Sequence, residues 1–272
     1  MKIVALTHCD THLVEIFGVH KLLNSWSYFH PEIPIVWFDS NAINEIKKKY
    51  PGFALYSFNC CLIHEAKQAF NADLAIFIDA DSIILSRLEE VLIGDFDIAS
   101  VRDVPLGHTE NEDMNRPICG VPNTRWINAG FVATTSQRFI KDWYLINKDA
   151  IENKPRGINF YKMVEQDTLN MVFHMGREYK TKILDAVETD LYYGPASQNY
   201  TLGRKPPKSI EHYGNYFCES WLDIKLENGI PMLDGKKIRV IHQSHGGLKP
   251  KLQDDLFSEE FLPYIKKITN AI

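Results

Sequence analysis

Residues 74–81 read LAIFIDAD, in which five apolar residues are followed by Asp79, Ala80 and Asp81. A short, uninterrupted apolar run predicts a strand that is buried on both faces, as in a parallel sheet. Open α/β sheets bind ligands beyond the carboxyl ends of their strands, which is where the two acids lie. Side chains two residues apart on an extended segment leave the same face, so Asp79 and Asp81 can converge on one divalent cation.

Strand-like and helix-like segments alternate along the chain. Met1–Leu6 and Pro34–Asp39 predict strands before the acidic segment, and apolar residues at helical spacing lie between them. Further along, Trp126–Ala133 and Lys237–His242 predict strands, and Met163–Met175 predicts a helix. Such alternation is typical of right-handed βαβ units. We therefore expect an α/β fold with a Rossmann-like, mostly parallel central sheet flanked by helices.

Length and charge bound the class of protein. The chain has 272 residues and a net charge of -5, which fits one large α/β domain and argues against nucleic-acid binding. No apolar run approaches the roughly 20 residues that a membrane span needs. The five cysteines lack CxxC spacing, which predicts reduced thiols in a cytoplasmic protein and no zinc site.

A second polar segment, HQSHGGLK, begins at His242 where the last predicted strand ends. A histidine in this position can supply a third metal ligand. Gly246 and Gly247 allow the backbone to approach a phosphate closely, and Lys249 offers a positive charge to it. A divalent ion and a diphosphate together indicate chemistry on a nucleotide-activated substrate.

Four motifs, in chain order, resemble those of GT-A fold glycosyltransferases, in particular the glycosyltransferase 8-like group. They are Asp79-Ala80-Asp81 (similar to the DxD metal motif), Asn128-Ala129-Gly130 (the NAG step that lines the donor and acceptor site), Glu165-Gln166-Asp167-Thr168-Leu169-Asn170 (the DQDxLN helix start, with Glu in first place) and His242 with Gly246 and Lys249 (the HxxGxxK signature for metal and diphosphate). The resemblance spans roughly residues 1–250 as sparse motifs, and their order and spacing carry it.

The last motif departs from the family pattern, which places the glycine three residues after the histidine, whereas Gly246 lies four residues after His242. Either the loop has one extra residue or His245 has a different role. We favour His242 as the metal ligand because it ends the predicted strand. His245 would then face the diphosphate or the acceptor.

The resemblance implies transfer of a sugar from a nucleoside diphosphate-sugar, with UDP as the expected nucleotide, to a hydroxyl group of a glycan or glycoconjugate. Asp79, Asp81 and His242 would hold Mn²⁺ or Mg²⁺, which stabilises the departing diphosphate. An imidazole among oxygen ligands favours Mn²⁺.

The resemblance also implies further contacts with the nucleotide-sugar. The first strand ends at Thr7, His8 and Asp10, which would hold the base and ribose as in dinucleotide folds. The remaining expected contacts are Lys67, Asp79, Ala80, Asn128, Ala129, Gly130, Gly246 and Lys249. For Lys67 the alternative is a solvated helix face.

The expected catalytic residues are Glu165, Gln166 and Asp167. In an inverting enzyme an acid here would deprotonate the acceptor hydroxyl. In a retaining enzyme this region would stabilise an oxocarbenium-like species. Alternatively, the acids only complement the dipole of their own helix.

We expect one domain over residues 1–272, with a nucleotide-binding half (1–102), an acceptor and catalytic half (103–250) and a C-terminal helix (251–272). Two other functions are compatible with the acidic motif. One is a phosphatase of the haloacid dehalogenase type, with Asp79 as nucleophile and Asp81 as acid-base. The other is a non-catalytic nucleotide-sugar binding protein.

Overall fold

The structure is a computed structural model that describes residues 1–52, 58–88, 92–102, 126–153, 164–175, 178–184, 191–193, 217–218, 221–233, 235–243 and 251–270. The predicted site residues Gly246 and Lys249, together with His245, lie outside these ranges. The helices in these ranges are α1 (Val14–Phe17), α2 (Val19–Phe29), α3 (Ser40–Lys49), α4 (Asn59–Phe70), α5 (Gln137–Asn153), α6 (Val164–Met175) and α7 (Leu262–Thr269). The strands are β1 (Ile3–His8), β2 (Ile35–Phe38), β3 (Leu74–Ile78), β4 (Ser82–Ile84), β5 (Ile98–Arg102), β6 (Ile127–Thr134), β7 (Thr181–Leu184), β8 (Leu191–Tyr193), β9 (Phe217–Cys218), β10 (Lys225–Glu227), β11 (Ile230–Leu233), β12 (Lys236–Lys237) and β13 (Val240–His242).

The central sheet has six strands in the order β2-β1-β3-β6-β5-β7. β1 lies parallel to both β2 and β3, and β7 lies parallel to β5. β6 runs antiparallel to its neighbours β3 and β5. The prediction of a mostly parallel α/β sheet flanked by helices is therefore confirmed, with β6 as the reversed strand.

Strand β3 is buried along its whole length because both of its faces are covered. Ala75 and Phe77 pack into a core with side chains of α4, α5 and α6. Leu74, Ile76 and Ile78 pack into a second core with side chains of α2. A fully buried aliphatic or aromatic side chain of this kind contributes roughly 1.5–3 kcal/mol. The apolar run is thus fixed in the centre of the sheet, and the acids that follow it emerge at the sheet edge.

A second sheet, in the order β4-β13-β8-β9, brings the C-terminal part of the chain to the acidic motif. β4 begins directly after Asp81 and pairs with β13, where His242 lies opposite Ser82. The predicted strand Lys237–His242 is wrong in its extent. Its first residue belongs to β12, which pairs with β11 in a separate three-stranded sheet.

The last helix, α7, packs against α2, and its apolar side chains share a core with β4 and β13. The side-chain amide of Asn24 donates a hydrogen bond to the carbonyl of Thr269 at 2.6 Å, which ties the end of α7 to α2. Among the described residues, none of the helices has the length and apolar character of a membrane-crossing segment.

Candidate metal and donor site

The backbone of β6 holds Asp79 in position. The amide of Asp79 donates a hydrogen bond to the carbonyl of Gly130 at 2.8 Å. The amide of Gly130 in turn donates to Oδ1 of Asn128 at 2.6 Å. A Cβ atom on residue 130 would lie 2.4 Å from Oδ2 of Asp79, so this position requires a glycine. The predicted NAG step therefore lies directly against the first acid of the predicted metal motif.

Asp79, Asp81 and His242 converge at this edge of the sheet. His242 Nε2 lies 3.4 Å from Asp79 Oδ2 and 3.2 Å from Asp81 Oδ1. One ligand atom from each residue lies within 4.8 Å of the others, and this is the only such group of three or more residues in the part of the chain described. Asp81 and His242 are buried, whereas the side chain of Asp79 is 40% exposed. Two carboxylates and one imidazole in this arrangement fit a divalent cation that is reached from the side of Asp79.

A lysine that the sequence analysis did not single out lies in the same cluster. The ammonium group of Lys251 donates to Asp81 Oδ2, and both side chains are buried. Burial is the largest influence on the pKa of Asp81 and would raise it. The charges and hydrogen bonds of His242 and Lys251 together outweigh burial and lower that pKa to about 2. Asp81 is therefore ionised over the whole physiological pH range.

The end of β1 borders the acids. His8 is half-buried, and burial lowers its pKa while the nearby charge of Asp79 acts in the opposite direction. Asp10 follows the strand, and its Oδ1 accepts a hydrogen bond from Ser40 at 3.1 Å. Thr7 is fully buried within β1, and Ala80 packs in a small apolar cluster next to this strand end. Of these four predicted donor contacts, His8 and Asp10 therefore retain solvent access.

Lys67 lies away from this edge. Its ammonium group donates to the backbone carbonyls of Asp73 and Thr135, and its side chain is buried. Asp73 immediately precedes β3, whereas Asp79 follows it, so about 17 Å of extended strand separate the two ends. The position of Lys67 does not agree with the predicted donor contact. The alternative of a solvated helix face is also wrong, since the residue is only 3% exposed.

The three predicted catalytic residues have different environments. Glu165 Oε1 accepts a hydrogen bond from the amide of Asn59 at 2.6 Å, at the beginning of α4. Burial raises the pKa of Glu165 well above its usual range, and the charge of Asp79 adds to this effect. Asp167 is fully buried. Gln166 is partly exposed, and its Oε1 accepts from the amide of Ala129 at 3.3 Å. Gln166 is therefore the member of the three that borders both solvent and the NAG step.

Asn170 anchors the beginning of α6 to β6 of the central sheet through hydrogen bonds. Its side chain accepts a hydrogen bond from the amide of Ile127 and donates one to the carbonyl of the same residue, both at 2.8 Å. It also donates to the carbonyl of Gln166 at 2.9 Å. The asparagine of the predicted EQDTLN motif thus fixes α6 next to β6. Asn170 is the last residue of that motif, but the local sequence pattern alone does not reveal this anchoring role.

The segment with Gly246 and Lys249 is outside the described residues, but both of its ends lie at the acids. The amide of Gln243 donates to the carbonyl of Asp81 at 3.0 Å. The amide of Leu252 donates to the side-chain oxygen of Gln243 at 2.6 Å, which joins the two ends of the segment.

Comparisons with known proteins agree with this architecture. No protein-family model matches the sequence, and neither does any curated protein. Among solved structures, the galactosyltransferase LgtC in complex with donor and acceptor sugar analogues matches with a TM-score of 0.55 and 13% identity, over 99% of this chain and 96% of LgtC. The chain has a GT-A fold.

Two further structures extend this likeness. A glycosyltransferase involved in glycosylation of the major capsid of PBCV-1 matches with a TM-score of 0.53 and 12% identity, over 91% of this chain and 95% of that protein. Mouse xyloside xylosyltransferase 1 matches with a TM-score of 0.52 and 10% identity, over 93% of this chain and all of that chain. At such identities the likeness establishes the GT-A fold, and the function has to be argued from the site.

Proposed function

We propose that this chain is a metal-dependent glycosyltransferase that moves a sugar from a nucleoside diphosphate-sugar, with UDP as the nucleotide, to a hydroxyl group of a glycan or glycoconjugate. The convergence of Asp79, Asp81 and His242 at the ligand edge of a GT-A sheet carries the proposal. The similar solved structures include a galactosyltransferase and a xylosyltransferase, which is consistent with it.

In this proposal the two aspartates and Nε2 of His242 hold Mn²⁺ or Mg²⁺, and the imidazole favours Mn²⁺. Such an ion supplies the positive charge that stabilises the departing diphosphate. The donor set supports this assignment because the three side chains offer one ligand atom each from a buried or half-buried position. Asp79 supplies the solvent-facing side of the site.

The remaining donor contacts follow from the edge of the sheet. His8 and Asp10 are assigned to the base and ribose, because His8 ends β1 near Asp79 and Asp10 follows it two residues later. Gly246 and Lys249 are assigned to the diphosphate. Their segment starts and ends at residues that contact Asp81, which supports this assignment. We further propose residues 1–102 as the nucleotide-binding half and residues 103–250 as the acceptor and catalytic half of one domain, closed by residues 251–272.

We assign Gln166 to the transferred sugar, since it is the partly exposed residue at the NAG step. Glu165 is assigned a positioning role, because its carboxyl group is bound to the start of α4. Glu165 and Asp167 are both buried in the structure. We therefore do not assign either acid as the general base that deprotonates the acceptor hydroxyl.

The phosphatase alternative requires a further pair of acids for Mg²⁺. In the described residues the third potential ligand is His242, and no other acid joins the group. The alternative of a non-catalytic binding protein differs from the proposal only in turnover, so a turnover experiment separates them.

The test is release of UDP from UDP-glucose and UDP-galactose, with water and with simple glycosides as acceptors, in Mn²⁺ and in EDTA. We expect Mn²⁺-dependent release, reduced about 100-fold or more in Asp79→Asn because a metal ligand is lost. Asp95→Asn is the matched control, since Asp95 is exposed and pairs with Lys180 on the surface. Release that is unaffected by EDTA or by Asp79→Asn would contradict the proposal. Nucleotide binding without release in any condition would favour the non-catalytic alternative.

A further inference from the structure

The two carboxylate oxygens of Asp81 face different side chains, Lys251 and His242. The ammonium group of Lys251 is bound to Oδ2, while Oδ1 faces His242 Nε2 at 3.2 Å. The side chains of Lys251 and Asp81 are 6% and 8% exposed, so bulk water does not screen this ion pair as it would on the surface. Asp81 therefore offers one oxygen toward the predicted metal position, and the other oxygen is already engaged by a positive charge.

The ammonium group is held in place by its surroundings. It lies 4.6 Å from the centre of the Phe17 ring, within the range of a cation–π contact. The backbone amide of Lys251 donates to the carbonyl of Ile16 at 2.8 Å. The next residue, Leu252, has a φ of +56° and is fully buried. These contacts distinguish Lys251 from a mobile surface lysine.

The charge of the cluster follows from these residues. Asp79 and Asp81 contribute two negative charges, Lys251 contributes one positive charge, and a metal-binding imidazole is neutral. The cluster therefore carries a net charge of about -1 on this count. Binding of a divalent ion alone would make the net charge of the cluster positive, and the buried ammonium group of Lys251 would repel the ion. A diphosphate brings the negative charge that compensates for both cations.

We propose that Lys251 is a built-in counter-cation that keeps the affinity of the site for a free divalent ion low until a nucleoside diphosphate is present. This inference rests on the proposed function and adds to it the regulation of metal loading. Metal and diphosphate then bind with strong mutual dependence, and Lys251 sets the size of that dependence.

The test is titration with Mn²⁺, followed by the electron paramagnetic resonance signal of free Mn²⁺, with and without UDP. The proteins are wild type, Lys251→Met, Lys251→Arg and the control Lys266→Met, which removes an exposed lysine that pairs with Asp254. We expect Lys251→Met to bind Mn²⁺ alone about tenfold more tightly or better, equivalent to about 1.4 kcal/mol. The gain in Mn²⁺ affinity on adding UDP should shrink by a similar factor. Lys251→Arg and Lys266→Met should behave as wild type.

Equal or weaker binding of Mn²⁺ alone by Lys251→Met overturns the inference. Because Lys251 is buried, the melting temperature of each variant is measured first, and Lys251→Gln provides a second neutral side chain that can still donate to Asp81. If wild type binds Mn²⁺ with UDP but the neutral variants do not differ from it, only the role of Lys251 is refuted. If no protein binds Mn²⁺ in any condition, the metal site of the proposed function is refuted as well.

Discussion

Replacement of Gly130 by alanine should displace the Asp79 carboxylate and weaken metal binding. The new Cβ atom would lie 2.4 Å from Oδ2 and 2.9 Å from Cγ of Asp79, and 2.7 Å from Oδ1 of Asn128. Ordinary contacts of a Cβ atom begin at 3.4 Å, so Asp79 Oδ2 has to move by 1.0 Å, the difference between 3.4 and 2.4 Å. Metal–ligand distances tolerate deviations of only about 0.2 Å. After this displacement, Oδ2 of Asp79 would lie too far from its present position to bind the metal.

The expected magnitude differs between metal affinity and stability. The side chain of Asp79 is 40% exposed and can rotate toward solvent, so overpacking should cost about 1 kcal/mol, at the low end of its usual range. Mutations that misplace a metal ligand typically reduce metal affinity about 10- to 100-fold. The Gly130→Ala variant should therefore fold but bind Mn²⁺ about 10- to 100-fold more weakly in the presence of UDP.

The assay is Mn²⁺ titration with UDP present, together with thermal unfolding. Gly229→Ala is the control, because Gly229 has a φ of +79° in the turn between β10 and β11, and nothing lies within 4 Å of its added Cβ. It should lose about 1–2 kcal/mol through backbone strain and keep its Mn²⁺ affinity. Unchanged Mn²⁺ affinity in Gly130→Ala, or an equal loss of Mn²⁺ affinity in both variants, would show that the clash at Asp79 does not control metal binding.

Three further predictions concern the elements that support the site. Because the pKa of Glu165 is raised in the folded state, its contribution to stability is complete below pH 4.5 and is lost as the pH rises through the raised pKa. The melting temperature of Glu165→Gln should therefore rise relative to that of wild type as the pH increases. A difference between the two melting temperatures that does not change with pH would contradict this prediction. Asn170→Ala removes the side chain that bonds the backbone amide and carbonyl of Ile127, so both buried groups lose these hydrogen bonds. The free energy of unfolding, measured by urea titration, should fall by about 3 kcal/mol. A loss below about 1 kcal/mol would argue against the anchoring role. Asp39→Ala removes the side-chain cap of α3 and should cost about 1 kcal/mol in the same assay, with an unchanged midpoint as the contrary result.

The centre of the fold could be predicted from the sequence because its signals are local. The apolar run of β3 predicts a buried strand by itself, and the two acids follow at the edge where α/β sheets bind ligands. His242 could be predicted as a partner because it ends a strand. β13 then brings it to Asp81 through pairing with β4, the strand that begins directly after the acids.

The contacts that could not be predicted join residues distant in the sequence. Lys251 and Asp81 are 170 residues apart, and nothing in the local pattern distinguishes Lys251 from other lysines. Its motif predicts that Glu165 is a catalytic acid or an acid that complements the dipole of its own helix, but its carboxylate accepts a hydrogen bond from the first amide of α4, 106 residues away. Both contacts depend on how helices and loops pack after the sheet has formed, which hydrophobic periodicity does not encode.

Lys67 shows the limit of helix periodicity. A lysine near the end of a helix is usually solvated, yet α4 ends at Phe70 and the next residue, Asn71, turns the chain in a left-handed conformation. The chain then returns at once into β3, and the lysine is enclosed between this turn and Thr135. The same limit applies to β6, because the alternation of strands and helices alone does not reveal that this strand runs antiparallel to β3 and β5.

Ligand-induced thermal shift measures directly whether the chain has a metal-dependent site for a nucleoside diphosphate. The protein is melted with UDP, GDP, CDP and dTDP, each with Mn²⁺ and with EDTA. We predict a rise in melting temperature with one nucleotide, UDP, in Mn²⁺ only, corresponding to about 2.7 kcal/mol at a hundredfold excess over Kd. Asp79→Asn should lose this rise. No rise with any of the four nucleotides, or an equal rise in EDTA, would rule out a metal-dependent nucleotide site.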